Sequence, residues 1–368
     1  MRGGSIVSAL AHDDWRADIA VEVYTTTPGA RDIPGAAIFT LPIAEVENAE
    51  NLLARVVGEL KIGWSAARSM LRHHCDYAII STPGYLAALV IAWYSRRKGV
   101  PYVLELRDIY PQVYVEANLI RNNSMLCRFF SARSRVLYEK ANLVICATQG
   151  LLREVTKAAP RARATYVYNG FPGSLLHRNS TKYGRFTVCF HGTMGFFQDI
   201  ESLVTIAARL EPHDIDVEVI GYGRKESLLR DVNLKNLRFH GRLTFEDTIS
   251  MVEKCHIGLC LRLDDEISKD AFPVKVWEYL GLGLPSLVTP CCEAGAFLER
   301  NGCGKQFPAG SIEEMVAEIL NLKTDPARLE TLSVQCRRIS GRYTREATGQ
   351  SVADLIMDMV RGGCGCKP

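Results

Sequence analysis

The residues best suited to chemistry lie in one run, residues 270–285, which reads Asp-Ala-Phe-Pro-Val-Lys-Val-Trp-Glu-Tyr-Leu-Gly-Leu-Gly-Leu-Pro. Pro273 fits the first turn of a helix, where its missing N–H costs nothing. Lys275 then lies beside free backbone N–H groups and the positive end of the helix dipole, which attract phosphate. Glu278 follows one turn later and Asp270 precedes the helix, so both carboxylates can accept hydrogen bonds from sugar hydroxyls. An ordinary amphipathic helix with a capping acid would have the same periodicity.

Glycines follow two predicted strands in the same half of the chain. Gly192 and Gly195 belong to a His-Gly-Thr-Met-Gly sequence, and Gly221 and Gly223 to Ile-Gly-Tyr-Gly. A glycine lets backbone N–H groups approach an anion closely, which again favours phosphate. The second sequence lacks the third glycine and the acidic partner of a dinucleotide fingerprint, so it argues against a dehydrogenase.

The run from Asp270 to Glu278, with Pro-x-Lys-x-x-Glu-Tyr inside it and Gly-x-Gly-x-Pro after it, resembles the signature of retaining glycosyltransferases of family four. Asp270 stands where that family usually has the first glutamate of an E-x7-E pattern. The resemblance implies a GT-B fold, with Glu278 binding the donor ribose and Asp270 contacting the transferred sugar. It also implies a nucleotide-sugar co-substrate, linked to UDP or GDP, and no metal or other cofactor.

Further motifs occur in the family's order, including Phe-His-Gly-Arg-Leu at 239–243. The resemblance assigns to the donor Gly192, Gly195, Gly221, Gly223, Arg224, Arg242, Leu243 and Glu278. One position departs from the family, which usually has a Lys or Arg shortly after the first glycine loop to neutralise the diphosphate. This chain has Phe-Phe-Gln at 196–198 there, so Lys275, Arg224 and Arg242 are the candidates to replace that charge.

Two segments of the first half resemble acceptor-side motifs. Arg107 and Asp108 belong to Arg-Asp-x-x-Pro, a motif of the subgroup that builds bacterial surface polysaccharides, and Asp108 is the predicted polar group at the acceptor. An ion pair at a strand end is the alternative for these two residues. Gly3 and Gly4 resemble the family's first glycine loop, but no strand precedes them. The sequence thus predicts a shortened start or a first sheet without its N-terminal strand.

Short apolar runs alternate with amphipathic stretches along both halves of the chain, which predicts an α/β protein with two doubly wound parallel sheets. Ligands of such sheets bind at the carboxyl ends of the strands, so two domains facing a cleft suit a transfer between two substrates. The predicted divisions are an acceptor-side domain at 1–170, a nucleotide-sugar domain at 171–340, and a C-terminal helix crossing back to the first domain with a Gly/Cys tail at 341–368.

The predicted strands are 20–24, 77–80, 101–106, 142–146, 164–167, 187–191, 216–220, 237–240, 257–261 and 285–289. The predicted helices are 46–71, 87–98, 124–140, 150–157, 199–210, 224–231, 245–254 and 273–282, with a helical last segment at 327–360 and a broken helical region at 6–18.

Composition narrows the classes of function. The 368 residues carry 44 Lys and Arg against 41 Asp and Glu, a balance that gives no reason to expect a nucleic-acid partner. The uncharged run at 77–95 is broken by Thr-Pro-Gly, so it is not a membrane span. Scattered cysteines and no signal peptide predict a cytoplasmic protein.

Basic residues recur on the predicted helices of the first half, interleaved with apolar ones on the helix at 124–140. They are Arg55, Lys61, Arg68, Arg72, Arg96, Arg97, Lys98, Arg121, Arg128, Arg133 and Arg135. Such helices either form a solvated surface or bind an anionic membrane, here the inner face of the plasma membrane.

Together these features predict a retaining hexosyl- or glycosyltransferase that uses Asp108, Asp270 and Lys275 as catalytic groups and Gly3, Gly4 and Arg107 on the acceptor side. The expected acceptor is a glycan, lipid-linked in the main hypothesis, within polysaccharide or glycoconjugate synthesis. Two alternatives remain open: a GT-B sugar-nucleotide epimerase, and a non-catalytic binding protein that keeps the fold.

Overall fold

The structure is a computed structural model that describes residues 2–11, 20–25, 36–40, 52–70, 72, 75–82, 84–116 and 119–363. The chain divides into two compact units. Residues up to Asn169 form the first unit together with the residues from Arg345 onward, and Gly170–Thr344 form the second. The first unit therefore contains the C-terminal helix of the chain. The Gly/Cys tail beyond residue 363 lies outside the described residues.

The helices and strands of the first unit are α1 (Arg2–Leu10), β1 (Val21–Thr25), β2 (Ala36–Thr40), α2 (Leu52–Ser69), β3 (Ala78–Ser81), α3 (Tyr85–Lys98), β4 (Tyr102–Leu106), α4 (Gln112–Glu116), α5 (Met125–Glu139), β5 (Leu143–Cys146), α6 (Gln149–Ala158), β6 (Ala164–Tyr166) and, at the end of the chain, α15 (Arg345–Gly363). Those of the second are β7 (Thr187–Thr193), α7 (Ile200–Leu210), β8 (Asp216–Tyr222), α8 (Ser227–Arg230), β9 (Leu237–Phe239), α9 (Phe245–Val252), β10 (Ile257–Leu261), α10 (Glu266–Lys269), α11 (Val274–Gly281), β11 (Ser286–Thr289), α12 (Glu293–Arg300), β12 (Gly304–Gln306), α13 (Ile312–Thr324) and α14 (Pro326–Ser340).

All strand pairs in the described parts of both units are parallel. The first unit has a four-stranded sheet in the order β3-β4-β5-β6 and a separate pair, β1-β2. The second has six strands in the order β12-β11-β10-β7-β8-β9. The central strands β4, β5, β7 and β10 are almost wholly buried, which explains their near-continuous apolar sequences. The prediction of two parallel-sheet α/β domains is confirmed.

The expected loop at Gly3 and Gly4 is wrong, because both residues lie in helix α1. The helix packs through Ile6 and Leu10 into a core that also contains Val103 of β4 and Val352 of α15. Burial of its apolar residues outweighs the local cost of glycine in a helix. The helix ends at Leu10, and the remainder of the helical region expected at 6–18 falls mostly outside the described residues.

The predicted elements differ from the structure in other places. The helical last segment expected at 327–360 contains two helices, α14 and α15, separated where Thr344 forms a parallel bridge with Phe171. The helix expected at 224–231 is only the four residues of α8, so Arg224 lies before it. The sequence patterns also did not predict strand β2, strand β12 or helices α4, α10, α12 and α13.

The turn that leaves α11 depends on close contact between Gly281 and the buried ring of Phe171. A Cβ atom on Gly281 would lie 2.4 Å from that ring. We expect Gly281→Ala to lower the free energy of unfolding by about 1–3 kcal/mol, since an overpacked core must shift to admit the methyl group. Equilibrium denaturation measures the change. Gly184→Ala, at a position with open space, is the control, and equal stability of the two variants would contradict this packing.

Candidate functional site

The predicted donor residues meet at the carboxyl edge of the sheet in the second unit. Strand β7 lies between β8 and β10 in the sheet. The chain adds β8 and β9 on one side of β7, and then adds β10, β11 and β12 on the other side. Such a reversal of strand order opens a crevice outside the carboxyl ends. His191 and Gly192 are among the last three residues of β7, Gly221 is the penultimate residue of β8, and α11 follows β10 after the short helix α10. Chain folding thus gathers residues that are more than eighty positions apart.

Three of the four predicted glycines have a steric reason to be glycine. Gly192 and Gly223 have φ angles of 114° and 136°, which residues with side chains rarely adopt. A Cβ on Gly221 would lie 2.0 Å from the carbonyl oxygen of Gly192, so β7 and β8 approach here as bare backbone. Gly195 differs, because a Cβ there would meet nothing within 4 Å.

Lys275 is the central cation of the site and is only 7% exposed. Its ammonium group lies 3.6 Å from the centre of the Phe190 ring and donates a 3.1 Å hydrogen bond to Oε1 of Gln198. A Cβ on Gly192 would lie 3.5 Å from its Cε, an ordinary van der Waals distance, so the lysine side chain passes close to the backbone at the end of β7. Burial lowers the pKa of Lys275 to about 8. Because an amide carries no net charge, Gln198 holds the ammonium group without neutralising it.

Glu278 lies one turn along α11 and is 7% exposed. Its Oε2 is 3.6 Å from Nε2 of His191, a side chain that is 4% exposed. Burial lowers the pKa of His191 to about 3, and the charge of Lys275 acts in the same direction. The site therefore combines a cation, a carboxylate and an uncharged imidazole at neutral pH. Asp270 lies on the partly exposed turn after α10, four residues before α11 begins.

Gln198 occupies the segment where the sequence lacks the expected cation, and a second lysine reaches it. Lys225 donates a 2.8 Å hydrogen bond to the backbone oxygen of Gln198 and lies 3.7 Å from Glu201. Sequence reasoning missed the partnership of Gln198 with both lysines, and it gave no role to Lys225. The position of Lys225 directly after the Gly221–Arg224 turn was the available signal.

Arg224 and Arg242 are exposed and stack on aromatic rings at the same sheet edge. The guanidinium of Arg224 lies 4.5 Å from the centre of the Phe196 ring, and that of Arg242 lies 4.4 Å from the Tyr222 ring. Cation–π contacts of this kind orient a guanidinium while leaving its N–H donors available. Leu243 follows Arg242 and is partly exposed.

The residues predicted on the acceptor side belong to the first unit. At the end of β4, Arg107 forms an ion pair of 3.3 Å with Glu105, which is almost fully buried. The backbone N–H of Arg107 also donates to Oγ1 of Thr82 at 3.0 Å. Arg107 is therefore held in place by its own strand end, while Asp108 is exposed.

The described residues contain no group of three or more His, Cys, Asp or Glu side chains that could hold a metal ion. Nor does any helix in the described ranges combine the length and apolar character needed to cross a membrane.

Family models match both parts of the chain. The model for glycosyl transferases group 1 matches residues 185–325. The model for a glycosyl transferase 4-like domain matches residues 4–170. No curated protein sequence matches the chain.

Solved structures share the fold over nearly the whole chain. Sucrose-phosphate synthase from Thermosynechococcus elongatus has a TM-score of 0.74 and 13% identity, with 97% of this chain and 92% of that chain covered. Anabaena HepE in complex with UDP has a TM-score of 0.70 and 16% identity, covering 97% and 96%. WaaG, a glycosyltransferase involved in lipopolysaccharide biosynthesis, has a TM-score of 0.65 and 15% identity, covering 96% and 95%. These similarities confirm the predicted GT-B fold.

The buried charge of Lys275 predicts a specific effect on stability. Its pKa is lower in the folded chain than the ordinary value of 10.5, so the unfolded chain binds more protons between pH 8 and 10.5. The free energy of unfolding of the wild type therefore rises as the pH increases across that range. We expect Lys275→Met to be more stable than the wild type at pH 7 and to lose this advantage by pH 10.

Denaturant unfolding of both proteins at the two pH values measures this difference. Lys225→Met, which removes a less buried lysine, should show the same pH dependence of stability as the wild type. A constant difference between Lys275→Met and the wild type at both pH values would show that the ammonium group is not destabilised by burial.

Proposed function

We propose that this chain, which is a glycosyltransferase with the GT-B fold, moves a sugar from a nucleoside diphosphate to an acceptor hydroxyl with retention of configuration. The observation that carries the proposal is Lys275, a buried cation held by an uncharged amide at the start of a helix. A buried positive charge is costly unless an anion meets it. The diphosphate of a nucleotide-sugar donor is such an anion.

The donor diphosphate lies between Lys275 and the backbone at Gly192. The first N–H groups of α11 and the bare backbone at the end of β7 supply hydrogen-bond donors, and the helix dipole adds positive potential. Negative charge grows on the diphosphate as the glycosidic bond breaks. Fixed charges aimed at the leaving group are therefore the main catalytic contribution of the protein, and no metal ion is required.

The nucleoside is held beside the diphosphate. Glu278 accepts hydrogen bonds from the ribose hydroxyls, and Leu243 lies next to the base. Arg224 and Arg242, each fixed on an aromatic ring, supply further donors to the phosphates. UDP is the first nucleotide to test, because Anabaena HepE was solved with UDP and with UDP-glucose.

The two remaining acidic residues serve the sugar and the acceptor. Asp270 contacts the transferred hexose, and its shorter side chain keeps the charge of the glutamate usual at that position. Asp108 interacts with the acceptor hydroxyl, with Arg107 contributing to the acceptor side. The acceptor is a lipid-linked glycan of polysaccharide or glycoconjugate synthesis, as WaaG, involved in lipopolysaccharide biosynthesis, shares the fold.

Nucleotide titration tests the donor site. We expect UDP, or else GDP, to bind with a Kd between micromolar and millimolar, and ADP to bind more weakly. Glu278→Gln should weaken binding by about 10- to 100-fold, since hydrogen bonds to a charged group contribute about 1.5–3 kcal/mol. Calorimetry measures both values.

Glu313→Gln is the matched control, because Glu313 is an exposed glutamate on α13. Its affinity for the nucleotide should equal that of the wild type. A folded protein that binds none of the three nucleotides would contradict the donor site and favour a non-catalytic member of the fold.

Apolar side chains on helix α5 of the first unit extend outward beside arginines. Met125 is 90% exposed and Phe129 is 50% exposed. The guanidinium of Arg133 lies 5.0 Å from the centre of the Phe129 ring, and Arg128 is exposed on the same helix. Apolar residues next to cations are typical of helices that bind anionic membrane surfaces.

A second outward cluster joins helices α2 and α3 of the same unit. Trp64 and Trp93 lie with ring centres 5.9 Å apart, and Arg97 stacks on Trp93 at 5.1 Å. Both tryptophans are about half exposed. Tryptophan prefers the level of lipid headgroups, so this cluster also suits a membrane surface. We infer a peripheral location on the cytoplasmic face of the plasma membrane, close to a lipid-linked acceptor.

Vesicle sedimentation tests the membrane surface. We expect the protein to bind vesicles that contain phosphatidylglycerol, to bind weakly to pure phosphatidylcholine, and to lose binding as salt rises. Replacing Arg128 and Arg133 by Gln should weaken binding severalfold. Arg209→Gln, at an exposed arginine of the second unit, should not. Equal binding to neutral and anionic vesicles at low salt would contradict the proposal.

A further inference from the structure

We propose that His191 is a positioning residue that fixes the carboxylate of Glu278 for the donor ribose. The inference rests on the proposed donor site and adds a residue to it. His191 would act through Glu278, by donating a hydrogen bond from Nε2 to a carboxylate oxygen. Its role is therefore to select the nucleoside hydroxyls, while the contacts to the diphosphate are made by other groups.

The imidazole of His191 is held firmly beside Glu278. Its Nε2 lies 3.6 Å from Oε2 of the carboxylate. The imidazole also packs nearly perpendicular to the ring of Tyr279, with ring centres 5.0 Å apart and planes at 88°. The Tyr279 hydroxyl is itself fixed by the backbone oxygens of Cys189 and Leu259, at 3.3 and 3.2 Å. The imidazole therefore has little freedom to turn away from the carboxylate.

The Nε2 atom of His191 is buried and has no hydrogen-bond partner among the described residues. A buried polar atom without a partner costs about 1–3 kcal/mol, so native proteins rarely keep one without use. The separation from Glu278 is slightly longer than a hydrogen bond, and a small rotation of the carboxylate closes it. A ribose that draws on Glu278 supplies the reason for that rotation.

The charge state of His191 suits this role. Burial and the positive charge of Lys275 keep the imidazole neutral, with the pKa lowered to about 3. A neutral imidazole still donates one N–H, whereas a carboxylate only accepts hydrogen bonds. His191 thus orients Glu278 without cancelling the charge that the ribose hydroxyls recognise and without repelling Lys275.

This division of roles predicts which ligands are affected. If His191 fixes Glu278, its loss weakens contacts with the 2′ and 3′ hydroxyls and leaves the diphosphate contacts of Lys275 intact. UDP and 2′,3′-dideoxy-UDP differ only in those hydroxyls. The ratio of their affinities therefore reports on the pair formed by His191 and Glu278.

The experiment compares four proteins by calorimetry with both nucleotides. His191→Phe removes the N–H, His191→Asn shortens its reach, and His191→Gln keeps an amide N–H near the position of Nε2. We expect the Phe and Asn variants to bind UDP about tenfold more weakly and to bind dideoxy-UDP like the wild type. His191→Gln should restore most of the UDP affinity. Using two disruptive variants keeps the test valid if one of them does not fold.

His256→Phe is the matched control, because His256 precedes β10 and so lies at the opposite edge of the same sheet. It should leave the ratio of the two affinities unchanged. Adding Glu278→Gln to His191→Phe should cost little more than Glu278→Gln alone, since the histidine would act through the carboxylate.

Two outcomes would overturn the inference and are distinguishable. If the wild type binds UDP but His191→Phe weakens UDP and dideoxy-UDP equally, His191 does not position Glu278, while the donor site stands. If the wild type binds neither UDP nor GDP, the donor site itself is absent and the role of His191 falls with it.

Discussion

The arrangement of the second unit depends on placing one ammonium group in a buried position. The charge of Lys275 is stabilised by the face of the Phe190 ring and by the amide oxygen of Gln198. The lysine side chain passes beside the backbone of Gly192, and β8 approaches that backbone closely because Gly221 has no Cβ. None of these partners carries a negative charge. These contacts hold the ammonium group without neutralising it, and Glu278 on the same helix is a carboxylate whose charge acts on it.

The same cation sets the properties of its neighbours. It helps to keep His191 uncharged, and it lies in the helix turn that also carries Glu278. A cation and a carboxylate are thereby held within one turn of α11. The proposed donor, which has a diphosphate and a ribose, would use both groups. A single short helix therefore contributes much of the proposed site.

Local sequence patterns were sufficient for the parts of the site that lie close together in the chain. The helix expected at 273–282 is observed at Val274–Gly281, with Lys275 and Glu278 at its start and middle. By contrast, the sequence described residues 196–198 only as lacking a cation. That Gln198 accepts a hydrogen bond from Lys275, 77 residues later, follows from the tertiary contact between the segment after β7 and the first turn of α11. Local periodicity in the sequence does not predict a contact between residues that far apart in the chain.

The first unit shows the same division between local and distant information. The sequence by itself determined the alternation of buried strands and amphipathic helices, and hence the α/β class, because strand and helix periodicities are local properties. Tertiary structure decided that residues around Gly3 and Gly4 are helical, because Ile6 and Leu10 gain burial against α15 from the far end of the chain. It likewise decided that Arg107 pairs with Glu105 and that His191 faces Glu278. Packing and electrostatic contacts between distant residues outweigh local preference wherever burial contributes more free energy than the preference costs.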